Sequence, residues 1–278
     1  MTSMRRKGTI AISIVAILGL LTSFTLIHRS ATSQSTRDFE LVFEDNFNGH
    51  SLNQKKWNVQ ERRPWDCFRY MTDNSKVLVV GKGRLRLYCK RNNGIAPNDT
   101  AKYLTAGINT KDKFTFSYGK IEVRARIVGK QGTQPAIWTL NNNWADMRDT
   151  SYIRAEVDLM ECVNHEMEVH QTVHNRAVDI DKLYKHDAYH VQKAVNVKNY
   201  NVYAAEILPD RVVMSINGQP TLTFRRDKNV KGQFPYNQLQ YLIIDMQYGT
   251  SFAGSIAPSE LPAYMDVDWV RVYKYKGK

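Results

Sequence analysis

The chain has 278 residues, a formal net charge of +12, 11% aromatic residues and three cysteines. Three cysteines are too few for a disulfide scaffold, and basic residues scattered singly, with no run of five or more, argue against nucleic-acid binding. The length allows one large domain with a full core.

Arg5, Arg6 and Lys7 precede an uncharged apolar run from Gly8 to Ile27, followed by the small polar segment HRSATSQST. This pattern reads as an export signal or an uncleaved membrane anchor, because the run exceeds the usual ~7–15-residue signal core and approaches the ~20 residues that span a bilayer. Both forms stay open. Either way the leader is 1–34, the folded domain is 35–278, and the domain is expected to be secreted, periplasmic or at the cell surface. Residues 1–34 hold four basic residues and no acid, which leaves +8 on the rest. A Cys67–Cys89 bridge is open, against three buried thiols.

Strand signals then dominate in chain order: VLVV at 77–80, RLRLYC at 84–89, KIEVRARI at 120–127, AIWTL at 136–140, EVHQTVH at 168–174, VVMSI at 212–216, LIIDM at 242–246 and VDWVRVY at 267–273. Most are short, β-branched or aromatic, and alternating. Asn217-Gly218 between VVMSI and PTLTF predicts a two-residue hairpin. With no long amphipathic helix in the body of the domain, an all-β antiparallel sandwich or jelly roll is expected.

Residues 155–163, AEVDLMECV, hold Glu156, Asp158 and Glu161 in an apolar run. On a regular strand Glu156 and Asp158 share a face, and Glu161 has the wrong parity. One extra residue near Leu159-Met160, a β-bulge, restores the parity and turns Cys162 into the core. A helix would spread the three carboxylates around its circumference. A merely solvated acidic strand is disfavoured, since like charges on one face repel and only Arg154 is adjacent to pair them. Two glutamates flanking an aspartate suit double displacement at a glycosidic bond, where one carboxylate attacks and another protonates the leaving oxygen. With the bulge, a ~13 Å Cα separation less ~4 Å of reach per side chain leaves ~5 Å between the carboxyl groups. That fits the ~5–5.5 Å of retaining enzymes rather than the ~6.5–9.5 Å of inverting ones. The spacing of HEMEVH at 165–170 places two histidines five apart, which does not match a helical zinc motif.

EVDLME resembles the bulged ExDxxE signature of glycoside hydrolase family 16, the laminarinase and β-glucanase group. Similar blocks run from VFEDNFNG at 42–49 through LTAGINTKDKFTFSYGKIEVRARI at 104–127, PAIWTL at 135–140, HQTVHN at 170–175 and YNVYAAEILPDRVVMSINGQP at 200–220 to LIIDMQYG at 242–249 and MDVDWVRVY at 265–273. The resemblance implies a concanavalin-like jelly roll of two curved antiparallel sheets. It also implies Glu156 as nucleophile, Glu161 as general acid/base and Asp158 as the residue assisting the nucleophile.

A polysaccharide cleft needs aromatic platforms with a few polar groups. Trp138 and His174 follow blocks that resemble the cleft of the family, and Gln247 belongs to a third such block. Trp144, Tyr70, Trp65 and Arg154 are further candidates for substrate contact, whereas Trp57 and Trp269 read as core. The family's calcium, on the face away from the chemistry, matches Asn46 and Gly83 through backbone oxygens and Asp268 through its carboxylate. No cofactor is implied for catalysis, and a monomer is expected.

A Trp-Pro pair and a glycine, frequent in laminarinases ahead of the first glutamate, are replaced here by Ser151-Tyr152-Ile153-Arg154-Ala155. The substrate implied is a β-1,3- or mixed β-1,3/1,4-glucan. Arg154 and the basic surplus leave a galactan hydrolase as an alternative, beside a transglycosylase and a catalytically dead carbohydrate-binding protein.

Overall fold

The structure is a computed structural model and describes residues 38–142 and 154–277. The apolar leader, Trp144 and residues 151–153 lie outside the described residues. No helix among the described residues is long and apolar enough to cross a membrane.

The strands run in chain order as β1 Phe39–Asp45, β2 Asn58–Val59, β3 Leu78–Val80, β4 Leu85–Arg91, β5 Tyr103–Thr105, β6 Gly107–Asn109, β7 Gly119–Val128 and β8 Thr133–Asn141. They continue as β9 Glu156–Glu161, β10 Glu168–His174, β11 His190–Ala194, β12 Asn201–Ile207, β13 Arg211–Ile216, β14 Gln219–Arg225, β15 Gln240–Tyr248 and β16 Ala263–Tyr275. One antiparallel sheet has the order β14-β13-β12-β7-β16-β4-β3, with β1 and β5 paired at its side. The other has the order β11-β10-β9-β8-β15-β6-β2. Every strand expected from the sequence is present. Asn217 and Gly218, with φ of 52° and 78°, close the β13–β14 hairpin as a turn of two left-handed residues.

Alternation decides what each face does. Along β7 the odd positions from Gly119 to Ile127 are buried and the even ones half-buried. Ile121, Val123, Ala125 and Ile127 meet Val157, Ile137, Leu242, Ile244 and Met246 of the other sheet in one core, with each buried aliphatic side chain contributing about 1.5–3 kcal/mol. Residues Leu41–Tyr275 form a compact unit around this core. Cys89 and Cys162 are buried, Cys67 is half-buried, and all three thiols are free, so the open Cys67–Cys89 bridge is absent. Cys89 points into the core from β4, whereas Cys67 lines a cleft on the opposite sheet.

The outer face of the larger sheet absorbs much of the basic surplus. Asp266, fully buried, accepts hydrogen bonds from Arg86 at 2.5 and 2.7 Å and from Arg126 at 2.8 and 3.0 Å. Burial alone would raise the Asp266 pKa, yet these guanidinium groups hold it below the usual carboxylate range. Asp268 pairs with Arg124. The carboxylate matched to a calcium ion therefore already faces a cation, and no described contact brings Asn46 or Gly83 to it. Trp269 was expected in the core, but the register shift between Val267 and Trp269 turns it half outward, where the Arg271 guanidinium covers its ring at 4.3 Å.

A second register shift lies in β9. Against β8, Met160 pairs with Ile137 and Asp158 with Trp138; against β10, Glu161 pairs with His170 and Asp158 with Thr172. Leu159 is thus the extra residue, where the bulge was expected. Its carbonyl accepts a 2.7 Å hydrogen bond from Nε2 of the fully buried Gln171, whose Oε1 is bonded by the Thr221 hydroxyl from the other sheet. Gln171→Leu should therefore leave a buried carbonyl unpaired and cost about 1–3 kcal/mol. Denaturant unfolding should show a lower midpoint at unchanged slope; a midpoint equal to that of the parent protein would show that the bulge holds without Gln171.

Candidate active site

The outer face of the smaller sheet carries a cleft of about 860 Å3. The ladder fixes which side chains share its face, since residues directly opposite each other point to the same side. Leu140, Trp138 and Ala136 of β8 stand opposite Glu156, Asp158 and Glu161 of β9, and these stand opposite His174, Thr172 and His170 of β10. The bulge thus brings the three carboxylates to one face.

Glu156 is almost wholly buried, and Arg154 grips it with two hydrogen bonds, Nε to Oε2 at 2.6 Å and Nη2 to Oε1 at 2.5 Å. Two residues apart on an extended chain, the guanidinium and the carboxylate share a face. Asp158 faces His174, whose Nε2 lies 3.2 Å from Oδ2, while His174 Nδ1 lies 2.7 Å from Asp179 Oδ1. Asp179 is held by the short helix Arg176–Asp179, which Asn175 caps by accepting the Val178 amide hydrogen. Glu161 accepts a 2.7 Å hydrogen bond from Gln134 Nε2, and the Thr250 hydroxyl bonded to Gln134 Oε1 fixes which way that amide points.

These surroundings separate the two glutamates electrostatically. Burial pushes the Glu161 carboxyl up to about 8, with the Asp158 charge adding to it, so this group keeps its proton at neutral pH. Burial also raises Glu156, but there the Arg154 guanidinium opposes the rise. Burial would lower His174, yet its hydrogen bonds to Asp158 and Asp179 prevail and hold it well above the ordinary imidazole value. Glu156, Asp158 and His174 lie close enough together to suggest a metal centre. A protonated His174 donates from both ring nitrogens and has no lone pair for a cation, so the cluster reads as an ion-pair network.

Trp138, Phe68, Trp65 and Tyr241 line the cleft. Phe68 stacks on Trp138 at 6.2 Å between centroids, and Trp65, 47% exposed, tilts against Phe68 at the rim. Tyr70 packs edge-on against Tyr103 and reaches Tyr248 at 6.4 Å, and it does not line this cleft. Gln247 faces the cleft side of β15 and donates to Asp245 at 3.0 Å. Of the candidates, Trp138, Arg154, His174 and Gln247 gather around the carboxylates or on their face, Tyr70 does not, and Trp144 falls outside the described residues.

Sequence reasoning missed four groups. Gln134 and Asp179 touch the acidic strand only through space, and Phe68 comes from a loop without a strand pattern. Asp245, fully buried and raised by that burial to about 7, did interrupt the apolar LIIDM run and so left a signal.

Residues 67–271 match the family described as Glycosyl hydrolases family 16. The chain is 30% identical to a keratan-sulfate endo-1,4-beta-galactosidase of Sphingobacterium multivorum, across 88% of this chain and 57% of that protein. It is 26% identical to glucan endo-1,3-beta-glucosidase A1 of Niallia circulans, across 87% of this chain and 39% of that protein. The chain thus spans about half the length of these curated relatives. Its structure is similar to that of the laminarinase from Rhodothermus marinus, with a TM-score of 0.72 and 25% identity over 85% of this chain and 98% of that one.

The Glu161 environment has a consequence for stability. A carboxyl whose folded pKa is raised stabilises the fold fully below its unfolded value near 4.5 and loses that contribution as pH rises to about 8. Glu161→Gln removes the titration. Its melting temperature should rise relative to the parent protein between pH 5 and pH 8, by the equivalent of about 2 kcal/mol after allowing for solvent at this half-buried carboxyl. A difference that stays constant across that range would mean that Glu161 ionises like an ordinary glutamate.

Proposed function

Because the chain belongs to glycosyl hydrolase family 16, we propose that it cleaves a β-linked polysaccharide internally by retaining double displacement. The observation that carries this reading is the bulge at Leu159, which sets Glu156 and Glu161 on one cleft face in environments of opposite character. In the first step Glu156 attacks the anomeric carbon while Glu161 gives its proton to the leaving oxygen. In the second, Glu161 takes a proton from water, which releases the sugar from Glu156. Asp158, backed by the His174 imidazolium, stands between the two glutamates and assists the nucleophile. Arg154 opposes the effect of burial on Glu156 through its two hydrogen bonds and is well placed to loosen its grip as negative charge is used in the attack.

The sequence implied a β-1,3- or mixed β-1,3/1,4-glucan. A β-linked galactan is a second reading, supported by the similarity to the keratan-sulfate endo-galactosidase and by Arg154 at the nucleophile. The basic segment and apolar run at 5–27 support action outside the cytoplasm, after cleavage of the leader or on a membrane anchor.

Glu156→Gln should abolish turnover with the fold intact, and Glu161→Ala should be rescued by azide on an activated aryl glycoside. Turnover of the parent protein should fall as pH rises through about 8, where Glu161 loses its proton, and fall again on the acid side as Glu156 gains one. The first product seen by proton NMR should be the β-anomer. An early α-anomer, or parent-like rates in Glu156→Gln, would refute the assignment.

A further inference from the structure

Arg154 is a wall shared by two cavities. One is the aromatic cleft; the other, of about 330 Å3, is formed largely by the segment 226–238 that joins β14 to β15. Five cations line this second cavity, Arg154, Arg176, Arg226, Lys228 and Lys231, against the one acid Asp227. Arg154 is bound to Glu156, and Arg176 lies 3.4 Å from Asp181. Arg226, Lys228 and Lys231 are exposed, and no ion pair joins them to a described residue.

The segment that carries these charges is firmly anchored. Gln233, fully buried, donates to the Arg225 carbonyl at 2.9 Å and accepts from the Asp227 amide at 2.9 Å. Phe234 and Tyr236 are buried, and the Tyr236 hydroxyl donates to the carbonyl of His174 at 3.0 Å. A loop tied to β10, the neighbour of the acidic strand β9, thus crowds like charges around one cavity. Such crowding works against folding, and an anion entering the cavity would relieve it.

We propose that this cavity is an anion subsite, which takes a sulfate ester or carboxylate carried by the sugar chain beside the residue that Glu156 attacks. Arg226, Lys228 and Lys231 supply the charge, and Arg154 links the subsite to the nucleophile. Guanidinium and ammonium groups favour such oxygens through charge-assisted hydrogen bonds. The inference rests on the cleft being a polysaccharide site, and it narrows the substrate to an anionic chain.

The test compares the parent protein with R226Q/K228Q/K231Q on a sulfated β-galactan, the same galactan after chemical desulfation, and a C6-carboxylated β-glucan beside its neutral parent. The charged-to-neutral ratio of kcat/KM should exceed unity in the parent protein and fall about tenfold in the triple variant, the tenfold corresponding to modest pairing at three exposed charges. High salt should erode the preference. A fall confined to the sulfated pair identifies sulfate as the group bound, and one confined to the carboxylated pair identifies carboxylate. Cleavage with a ratio the triple variant leaves unchanged would overturn the subsite while leaving the glycosidase reading intact. If no polysaccharide is cleaved, that reading fails, and titration calorimetry with the sulfated oligosaccharide decides the subsite alone. Binding weakened in the triple variant supports it, and equal or absent binding overturns it.

Discussion

The carbonyl of Leu159 has no place in either β-ladder, and the side chain of Gln171 gives it one. The gathering of Glu156, Asp158 and Glu161 on one face goes with this substitution of an amide for a lost ladder bond. Without an extra residue, the two-residue period of a strand would send Glu161 into the core and Cys162 outward. With it, the Glu161 carboxyl reaches the cleft face, a thiol returns to the apolar interior, and the Leu159 carbonyl stays satisfied. Gln171 also reaches Thr221 of the opposite sheet, so the bulge is fastened across the sandwich as well as along the strand.

Four acids, Glu156, Asp158, Glu161 and Asp179, crowd this face, and their repulsion is handled by pairing rather than by distance. Arg154 neutralises Glu156, and the His174 imidazolium is shared by Asp158 and Asp179. Glu161 has no ion pair among the described residues and bonds the amide of Gln134; burial outweighs the nearby His174 charge and pushes it toward its neutral form. One glutamate paired with a cation beside one that is not gives two chemically identical side chains different surroundings. The arrangement costs stability at high pH, a common burden of working sites.

The basic surplus divides in the same manner. On the outer face of the larger sheet, Arg86, Arg124 and Arg126 pair with Asp266 and Asp268 and stack on Tyr264 or Tyr200, so their charge is structural. Near Arg154, the exposed Arg226, Lys228 and Lys231 have no ion pair among the described residues. Net charge alone drew no distinction between these two populations, although one lies on sheet strands and the other mostly in the connection between β14 and β15.

Much was legible in the sequence because it depends on local periodicity. Alternation in KIEVRARI and EVHQTVH marked strands, Asn217-Gly218 marked a hairpin, and the uneven gaps in EVDLME required one bulge. These are steric rules of the backbone, which act between near neighbours along the chain. The blocks that resembled a family added the roles of Glu156, Asp158 and Glu161. What stayed hidden was set by groups that meet through space. Tertiary structure alone decided that Asp179 holds His174, that Gln134 bonds Glu161, that Asp268 answers to Arg124, and that Cys67 and Cys89 lie apart. It also turned Trp269 outward and Tyr70 away from the cleft. The reason is physical: periodicity fixes the face a side chain takes, whereas its partner, its burial and its proton affinity depend on which distant strand lies opposite.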